Sequence, residues 1–563
     1  MPDDTEKPDP EPDSPKAKAS DINMSYSSVG CGAMESSARK HDREEGHNTH
    51  LVEAALCRHI RNGNGSRLAL LADGVAISYE RLAQHVAFVQ RGVLATVKPG
   101  DRVVILLHDS VSFAAAFFAT IAAGAIAAPI STILAPADRT QLIRRLEPAL
   151  LITYPGAEID HRDVEGVLQA PIQLLNDESL GVDTRPWNTN DLKTNLDGFA
   201  YCLFSSGTTG APKCILLAHQ SPMACLRAFE DGVAPIGGDD RIISIPKMTF
   251  GYGLVGNLLF ALLSGSTSIL QSAPFDLSRL IQAIERDRPT MLLAQPRVIT
   301  KILDAQIDRQ ILSSIRVCIS AGESLPKTLF AAWASNYRIP LLDALGSTEL
   351  GHIFVANKPS HERGGSTGRV VPGYQIRILA PDGSEVADNE KGELVARGIG
   401  MTRCYLGDTK RTAALTRTGW VHTGDFVSRD ADGYLTIHGR TDDLIKVGCG
   451  EWIIPAEIEE MLSADIDVLD CAVVGQANAE GLLSAVAFIV RRDFSADPNL
   501  VARTVANRLS NLVTERWPHE DYRRVEKVVC VDHLPRSANG KLNRLQLRAM
   551  CNQESESTSE LRL

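Results

Sequence analysis

The chain has no CxxC pair among its 11 cysteines, so neither a zinc site nor a disulfide framework is suggested. Free thiols in a reducing cytoplasm are the expectation. It has no excess of basic residues: the formal net charge is −11. A chain of that sign gains little from a nucleic-acid polyanion, although a local basic site for one nucleotide stays open. Its first residues, MPDDTEKPDPEPDSP, hold no basic start followed by an apolar run, so no secretory signal is expected. One apolar run, VSFAAAFFATIAAGAIAAPI at 111–130, is long enough to cross a bilayer. It is rich in Ala and Gly, Pro129 interrupts its end, and no second span accompanies it. A buried helix leading into a buried strand accounts for it, and no membrane association is expected. No internal repeat is visible.

The sequence is 563 residues long, too long for one ordinary core, so two or more domains are expected. Apolar residues make up 44% and charged residues 23%, as in globular proteins generally. Residues 1–48 form an acidic, Pro- and Ser-rich tail that buries too little apolar surface to order itself. From Leu51 on, short apolar strands alternate with helical stretches: RVVILLH (102–108), ALLITY (149–154), FAYCLFSS (199–206), RIISIP (241–246), STSIL (266–270), TMLLAQ (290–295), VCISAG (317–322) and PLLDALG (340–346). That alternation predicts an α/β fold with parallel sheets covered by helices. From Gly373 to His438 the strands are short and separated by turn signals (PDGS, RTGW, DADGY), which predicts a small β-rich subdomain. After Arg440 a last segment mixes strands and helices and is a candidate α+β domain.

The strand FAYCLFSS runs straight into Gly207-Thr208-Thr209-Gly210-Ala211-Pro212-Lys213. Glycines let backbone N–H groups approach a phosphate closely. The hydroxyls of Ser205, Ser206, Thr208 and Thr209 add donors, and Lys213 adds a positive charge. The spacing is not that of the common GxxxxGK(S/T) nucleotide loop. Taken alone, a Gly/Ser/Thr surface turn explains the same residues.

Segments farther along the chain decide between the two. SSGTTGAPK resembles the signature loop of the acyl-adenylate-forming superfamily (the AMP-binding enzymes), which includes acyl-CoA ligases, peptide-synthetase adenylation domains and luciferases. Cys214 stands where that family usually has Gly. The later segments resemble further family motifs, in family order. Ala321-Gly322-Glu323 resembles the adenine-flanking turn. Gly346-Ser347-Thr348-Glu349 resembles the segment that edges the adenine and α-phosphate, which implies that Glu349 holds Mg2+, a hard cation suited to carboxylate and phosphate oxygens. Trp420 to Asp425 resembles WxxTGD, and the resemblance makes Asp425 the acceptor of the ribose hydroxyls. His438 to Lys446 resembles GRxDDxIK, with Arg440 reaching the ribose or phosphates and Asp442 as the hinge of a mobile C-terminal domain. Leu534 to Lys541 resembles PRTxxGK, with Lys541 contacting the carboxylate and α-phosphate. A lone loop glutamate, or a lysine near a chain end, is ordinarily just a solvated group; the order of the motifs lifts Glu349 and Lys541 above that. Together they imply an ATP-dependent ligase with Thr208, Glu349 and Lys541 as catalytic residues. The implied architecture is a large domain of two helix-covered sheets plus the β-rich subdomain over 49–441. A small mobile α+β domain over 442–552 and a tail over 553–563 complete it.

For the acid, IPKMTFGYG and GSTELGHIF resemble benzoate-CoA ligases, and anthranilate-CoA ligases more closely still. The implied aryl slot is lined by Phe250, Gly251, Tyr252, Ala321, His352 and Ile353. Gly251 leaves room for a ring, Tyr252 offers an aromatic wall, and His352 is able to donate to a carboxylate or ring substituent. Taken alone, FGYG also reads as a packed turn. The family segment after Lys446 bears on the acceptor. Here one extra residue separates Lys446 from Pro455, and Gly448 or Gly450 serves as the glycine bordering the thiol tunnel. This departure leaves adenylation untouched and puts CoA as acceptor in question. The expected activity is formation of an aryl-AMP and pyrophosphate, then transfer to CoA. Three rivals stay open: loading of a phosphopantetheinyl carrier protein, transfer to an amine, and a non-catalytic nucleotide-binding protein. A monomer or homodimer is expected.

Overall fold

The computed structural model describes residues 49–157, 172–178, 180–185, 191–195, 198–205, 212–447, 451–477, 483–536 and 542–554. The expected tail over 1–48 lies outside them.

Two large sheets carry the fold. A nine-stranded sheet runs in the order Arg369–Val370, Ile353–Ala356, Leu341–Gly346, Val317–Ala321, Met291–Ala294, Arg241–Ser244, Thr267–Leu270, Leu68–Ala72, Val75–Ser78. Its middle strands are parallel, and antiparallel strands close both edges. A seven-stranded sheet runs Cys404–Tyr405, Lys213–Ala218, Phe199–Ser205, Ile126–Pro129, Arg102–Leu106, Leu150–Thr153, Ile172–Leu174. Its parallel strands, such as Leu150–Thr153 and Ile126–Pro129, are buried at every residue. They read as continuous apolar runs because helices cover both faces. The α/β expectation therefore holds, with strand limits shifted by one or two residues at most ends.

The apolar run at 111–130 resolves into two elements. Ser110 caps the helix Val111–Ala122 by accepting from Phe113 N at 3.2 Å, and the strand Ile126–Pro129 follows. Every residue of that helix is buried. Phe117 meets Tyr201 of the seven-stranded sheet edge-on at 5.7 Å. The surrounding core takes in Leu203 and Ile105 from one sheet and Leu293 and Ile319 from the other, so a single apolar mass joins them. Among the described residues no helix is long and apolar enough to cross a membrane.

The turn-rich stretch forms a four-stranded antiparallel sheet, Tyr374–Leu379, Lys391–Gly398, Val421–Arg429 and Leu435–Arg440. The segment before it is stitched to this sheet: Thr367 N donates to Leu435 O, and Leu435 N to Gly368 O, each at 2.8 Å. Beyond Arg440, helices Pro455–Ser463, Pro498–Arg516 and Arg544–Glu554 accompany a sheet of Val468–Ala477, Leu483–Arg491 and Val525–Val531. The last helix runs two residues past the expected limit at 552.

Gly368 marks where the large and small sheets touch. Its φ is +104°, and a Cβ there would lie 2.0 Å from the carbonyl carbon of Ala356. Gly368→Ala should therefore cost about 2–5 kcal/mol, since backbone cannot give way as a side chain can. Gly383, at φ +85° with nothing within 4 Å, is the control; Gly383→Ala should lose only about 1–2 kcal/mol. Urea unfolding of the two variants checks the contrast.

Candidate active site

In open α/β sheets, ligand sites form where strands run out at their carboxyl ends. The predicted residues gather there. Ala321 ends Val317–Ala321, Gly346 ends Leu341–Gly346, and Phe250 follows the strand Arg241–Ser244 by six residues. From the other sheet, Ser205 closes Phe199–Ser205 and Lys213 opens Lys213–Ala218, opposite each other in antiparallel register. Ser206, Gly207, Thr208, Thr209 and Gly210 lie outside the described residues.

The two sheets meet through charge. Lys213 Nζ lies 3.8 Å from Glu349 Oε1. Ser347 Oγ donates to Glu349 Oε2 at 2.8 Å, and Thr402 N donates to the Glu349 carbonyl at 2.7 Å. Glu349 is buried, so its carboxylate is held rather than free to wander. Among the described residues no group of three or more His, Cys, Asp or Glu side chains forms a metal cage. One fixed carboxylate still fits Mg2+, which keeps waters and takes most other ligands from substrate phosphates.

The residues expected beside the adenine and the ribose also lie among the described residues. Gly322 follows Ala321 with φ +91°, and Glu323 Oε1 sits 3.9 Å from Arg536 Nη1. Arg536 also donates to Asp470 Oδ2 at 2.7 Å, so the segment that resembles PRTxxGK reaches over this turn. Arg536 pairs across to Leu542; Lys541 itself lies outside the described residues. Asp425 and Arg440 face each other on antiparallel strands, and Arg440 Nη1 donates to Asp425 Oδ1 at 2.7 Å. The sequence assigned each of them a nucleotide contact; the structure adds that they bind one another. A buried carboxylate with one oxygen on a guanidinium keeps the other for a second donor.

The aryl-slot residues cluster too. The position that a Gly251 Cβ would occupy lies 3.5 Å from Leu203 and 3.8 Å from Thr348 Oγ1, ordinary contact distances. FGYG is not a turn but the start of a helix, Gly251–Gly253, that continues as a π-turn over Leu254–Leu259. Tyr252 donates its hydroxyl to Ile319 O at 2.9 Å, so it offers a ring face and not a free hydroxyl. Ile353 is buried and pairs with Gly346. His352 sits among Phe229, Tyr252 and Phe260, with Phe260 4.6 Å away. Among the described residues neither ring nitrogen has a partner at hydrogen-bond geometry. Burial pulls its pKa down to about 3, against a weaker upward pull from the Tyr252 backbone.

Asp442, the expected hinge, lies in the turn Thr441–Asp443 with its carbonyl accepting from Arg548 at 3.1 Å. Its neighbour Asp443 binds Arg548 at 2.9 Å and Arg544 at 3.2 Å. Lys391 from the small sheet meets Glu457 at 2.6 Å, and Arg523 holds the same carboxylate at 2.6 Å. Lys446 is exposed, with its ammonium 5.6 Å over the Trp452 ring. Gly448 and Gly450 lie outside the described residues. Thr402 was missed by sequence reasoning; no motif flags it. It ties Glu349 to the seven-stranded sheet through Leu216 O at 2.6 Å.

A histidine held at about 3 binds its proton far below the ordinary 6.5. Between those values the unfolded chain carries the extra proton, so stability falls as pH drops through that window. The His352 ring should not titrate between pH ~5 and ~9, as read by ring NMR with assignment through His352→Asn, and that variant should lose less stability in acid.

Residues 57–406 match the AMP-binding enzyme family, and residues 457–541 match the AMP-binding enzyme C-terminal domain. A 3-hydroxybenzoate/4-hydroxybenzoate–CoA ligase of Thauera aromatica is 31% identical over 519 residues, covering 89% of this chain and 97% of that protein. An anthranilate–CoA ligase of Pseudomonas aeruginosa is 32% identical over 468 residues, covering 80% of this chain and 87% of that protein. Among solved structures, the anthranilate CoA ligase AuaEII in complex with anthranoyl-AMP superposes with a TM-score of 0.79 at 28% identity, covering 90% of this chain and 98% of that one. The order of motifs, the two-sheet crevice and these matches converge: the chain belongs to the AMP-binding enzyme family.

Proposed function

We propose that this protein activates an aromatic carboxylic acid of the benzoate, aminobenzoate or hydroxybenzoate type with ATP and passes the acyl group to CoA. One observation carries the reading. Lys213 and Glu349 meet at 3.8 Å beside Thr348, which in turn lies 3.8 Å from the space above Gly251. A phosphate grip, a metal carboxylate and an aryl slot thus share one crevice. The relatives that act on hydroxybenzoates and anthranilate support the choice of acid.

In this mechanism the loop of Ser205, Ser206, Gly207, Thr208, Thr209 and Gly210 cradles the phosphates, with Lys213 at its base. Gly322, Glu323, Gly346, Ser347 and Thr348 flank the adenine and α-phosphate, and Asp425 with Arg440 holds the ribose. A carboxylate oxygen of the acid attacks the α-phosphorus in line, and the bond to pyrophosphate breaks. Glu349 would hold Mg2+, which when bound would supply positive charge to the phosphate oxygens. Lys541 stabilises the charge that develops at phosphorus, so catalysis is positioning and electrostatics. No protein nucleophile is required. The thiol of CoA then attacks the acyl carbonyl and AMP leaves, after the domain over 442–552 swings about Asp442 on the large domain over 49–441. Lys446, Gly448 and Gly450 border the path of the thiol. A cytoplasmic setting suits buried cysteines such as Cys57 and Cys318, which form no disulfide among the described residues.

Pyrophosphate exchange over a panel of aryl and fatty acids tests the first step. Exchange with benzoate-type acids, and acyl-CoA formation with the same acids, is the expected result. No exchange with any acid would sink adenylation; exchange without acyl-CoA would move the acceptor to a carrier protein or an amine. Lys541→Ala should lower exchange about 100- to 1000-fold, and a near wild-type rate would remove Lys541 from the mechanism.

A further inference from the structure

The aryl slot needs its loop held in place. Phe250, Gly251 and Tyr252 follow the segment 246–249, which leaves the strand Arg241–Ser244. Ser244 Oγ accompanies the loop by donating to Pro246 O at 2.9 Å. Lys247 Nζ donates to Gln271 O and Ala273 O, each at 2.6 Å. A Cβ on Gly253 would lie 2.2 Å from Pro246 O and 2.4 Å from Lys247 O. The helix carrying Tyr252 is therefore pressed directly on this loop, and it continues as the π-turn Leu254–Leu259, a feature frequent at functional sites. All of these contacts belong to the nine-stranded sheet and its own connections.

One contact does not. Met248 N–H points at the carboxylate of Asp109, 3.2 Å from one oxygen and 3.3 Å from the other. Asp109 belongs to the seven-stranded sheet: it follows the strand Arg102–Leu106 and precedes the Ser110 cap of Val111–Ala122. It is only 7% exposed and belongs to none of the motifs. Burying a carboxylate is costly unless something compensates, and a shared backbone N–H is a small compensation. Two other charged groups bear on it: Lys247 on the loop stabilises its charge and Asp73 beyond the strand Leu68–Ala72 opposes it. His108 precedes it in the chain, with its ring 4.7 Å from that of Tyr154. Burial outweighs Lys247 and Met248 and pushes the Asp109 pKa up to about 6.

We propose that Asp109 is a positioning residue for the acid: through Met248 N–H it ties the loop before Phe250, Gly251 and Tyr252 to the sheet that carries Ser205 and Lys213. The inference rests on the proposed adenylation. In-line attack requires acid and nucleotide to be held in one frame. Asp109 supplies the tie on the acid side without touching a reacting atom. Removing it leaves a buried N–H unpaired and frees the loop from the nucleotide's sheet.

The test is pyrophosphate exchange by the full chain, with acid and ATP varied separately, in wild type, Asp109→Asn and Asp109→Ala. Loss of a buried partner is expected to raise the KM for the acid about tenfold or more in Asp109→Ala, with the KM for ATP within about twofold. Asp109→Asn keeps an oxygen facing Met248 and should recover most of that loss near neutral pH. A protonated Asp109 keeps one carbonyl oxygen for Met248 N–H, as Asn does, so the acid KM of wild type and of Asp109→Asn should both change little as pH falls through about 6. A carboxyl raised from 3.8 to about 6 costs stability once ionised, so Asp109→Asn should melt no lower than wild type above pH 6. An unchanged acid KM in Asp109→Ala overturns the inference. So does a rise of both KM values together with a lower melting point in Asp109→Asn, which is the mark of a purely structural residue. If wild type exchanges with no aryl acid, the adenylation reading falls and takes this inference with it; if wild type exchanges and the variants keep the wild-type acid KM, only the role of Asp109 falls.

Discussion

The contact on which the site depends is the approach of Lys213 to Glu349 at 3.8 Å. Each residue stands at the end of a different sheet, so the pair closes the crevice from both sides. Both charges are largely out of water, and either one alone would be costly. Together they are mutually satisfied but not tightly, since 3.8 Å is longer than a charge-assisted hydrogen bond. A loose pair is easily exchanged. In the proposed reaction Lys213 would be freed to meet phosphate oxygens, and Glu349 would be freed to hold a divalent cation that supplies positive charge beside them. Ser347 and Thr402 hold the glutamate in place.

Much of this was legible in the sequence because strand ends and phosphate contacts leave local marks. FAYCLFSS reads as a strand stopped by glycine, and its described part ends at Ser205. Trp420 to Asp425 and His438 to Lys446 were assigned roles separately. Their partnership through Asp425 and Arg440 was not legible, because it arises from strand register between segments fifteen residues apart. The buried state of His352 was equally hidden. A histidine beside Ile353 shows nothing of Phe229 and Phe260, and their rings supply the desolvation that keeps it neutral. The expected donor to a substrate is thus an uncharged imidazole in an aromatic nest. Asp109 lies at the far end of the same scale, with no motif and no periodicity, only a chain position between a strand and a helix cap.

The acceptor is where sequence and structure bear on each other most closely. The extra residue between Lys446 and Pro455 raised the question of whether CoA is the thiol. On both flanks the segment is regular. Ile445 pairs with Ile453, Lys446 pairs with Trp452, and Val447 N donates to Glu451 O at 3.0 Å. Pro455 still opens its helix at the first position, where its missing N–H costs nothing. A one-residue insertion inside a strand would flip the side chains beyond it to the other face. Here Ile445 and Ile453 both remain in the core of the small domain, while Lys446 and Trp452 both remain exposed. The alternation therefore survives the added residue. The flanks on either side of residues 448–450 thus keep their strand pairing and their inward and outward faces.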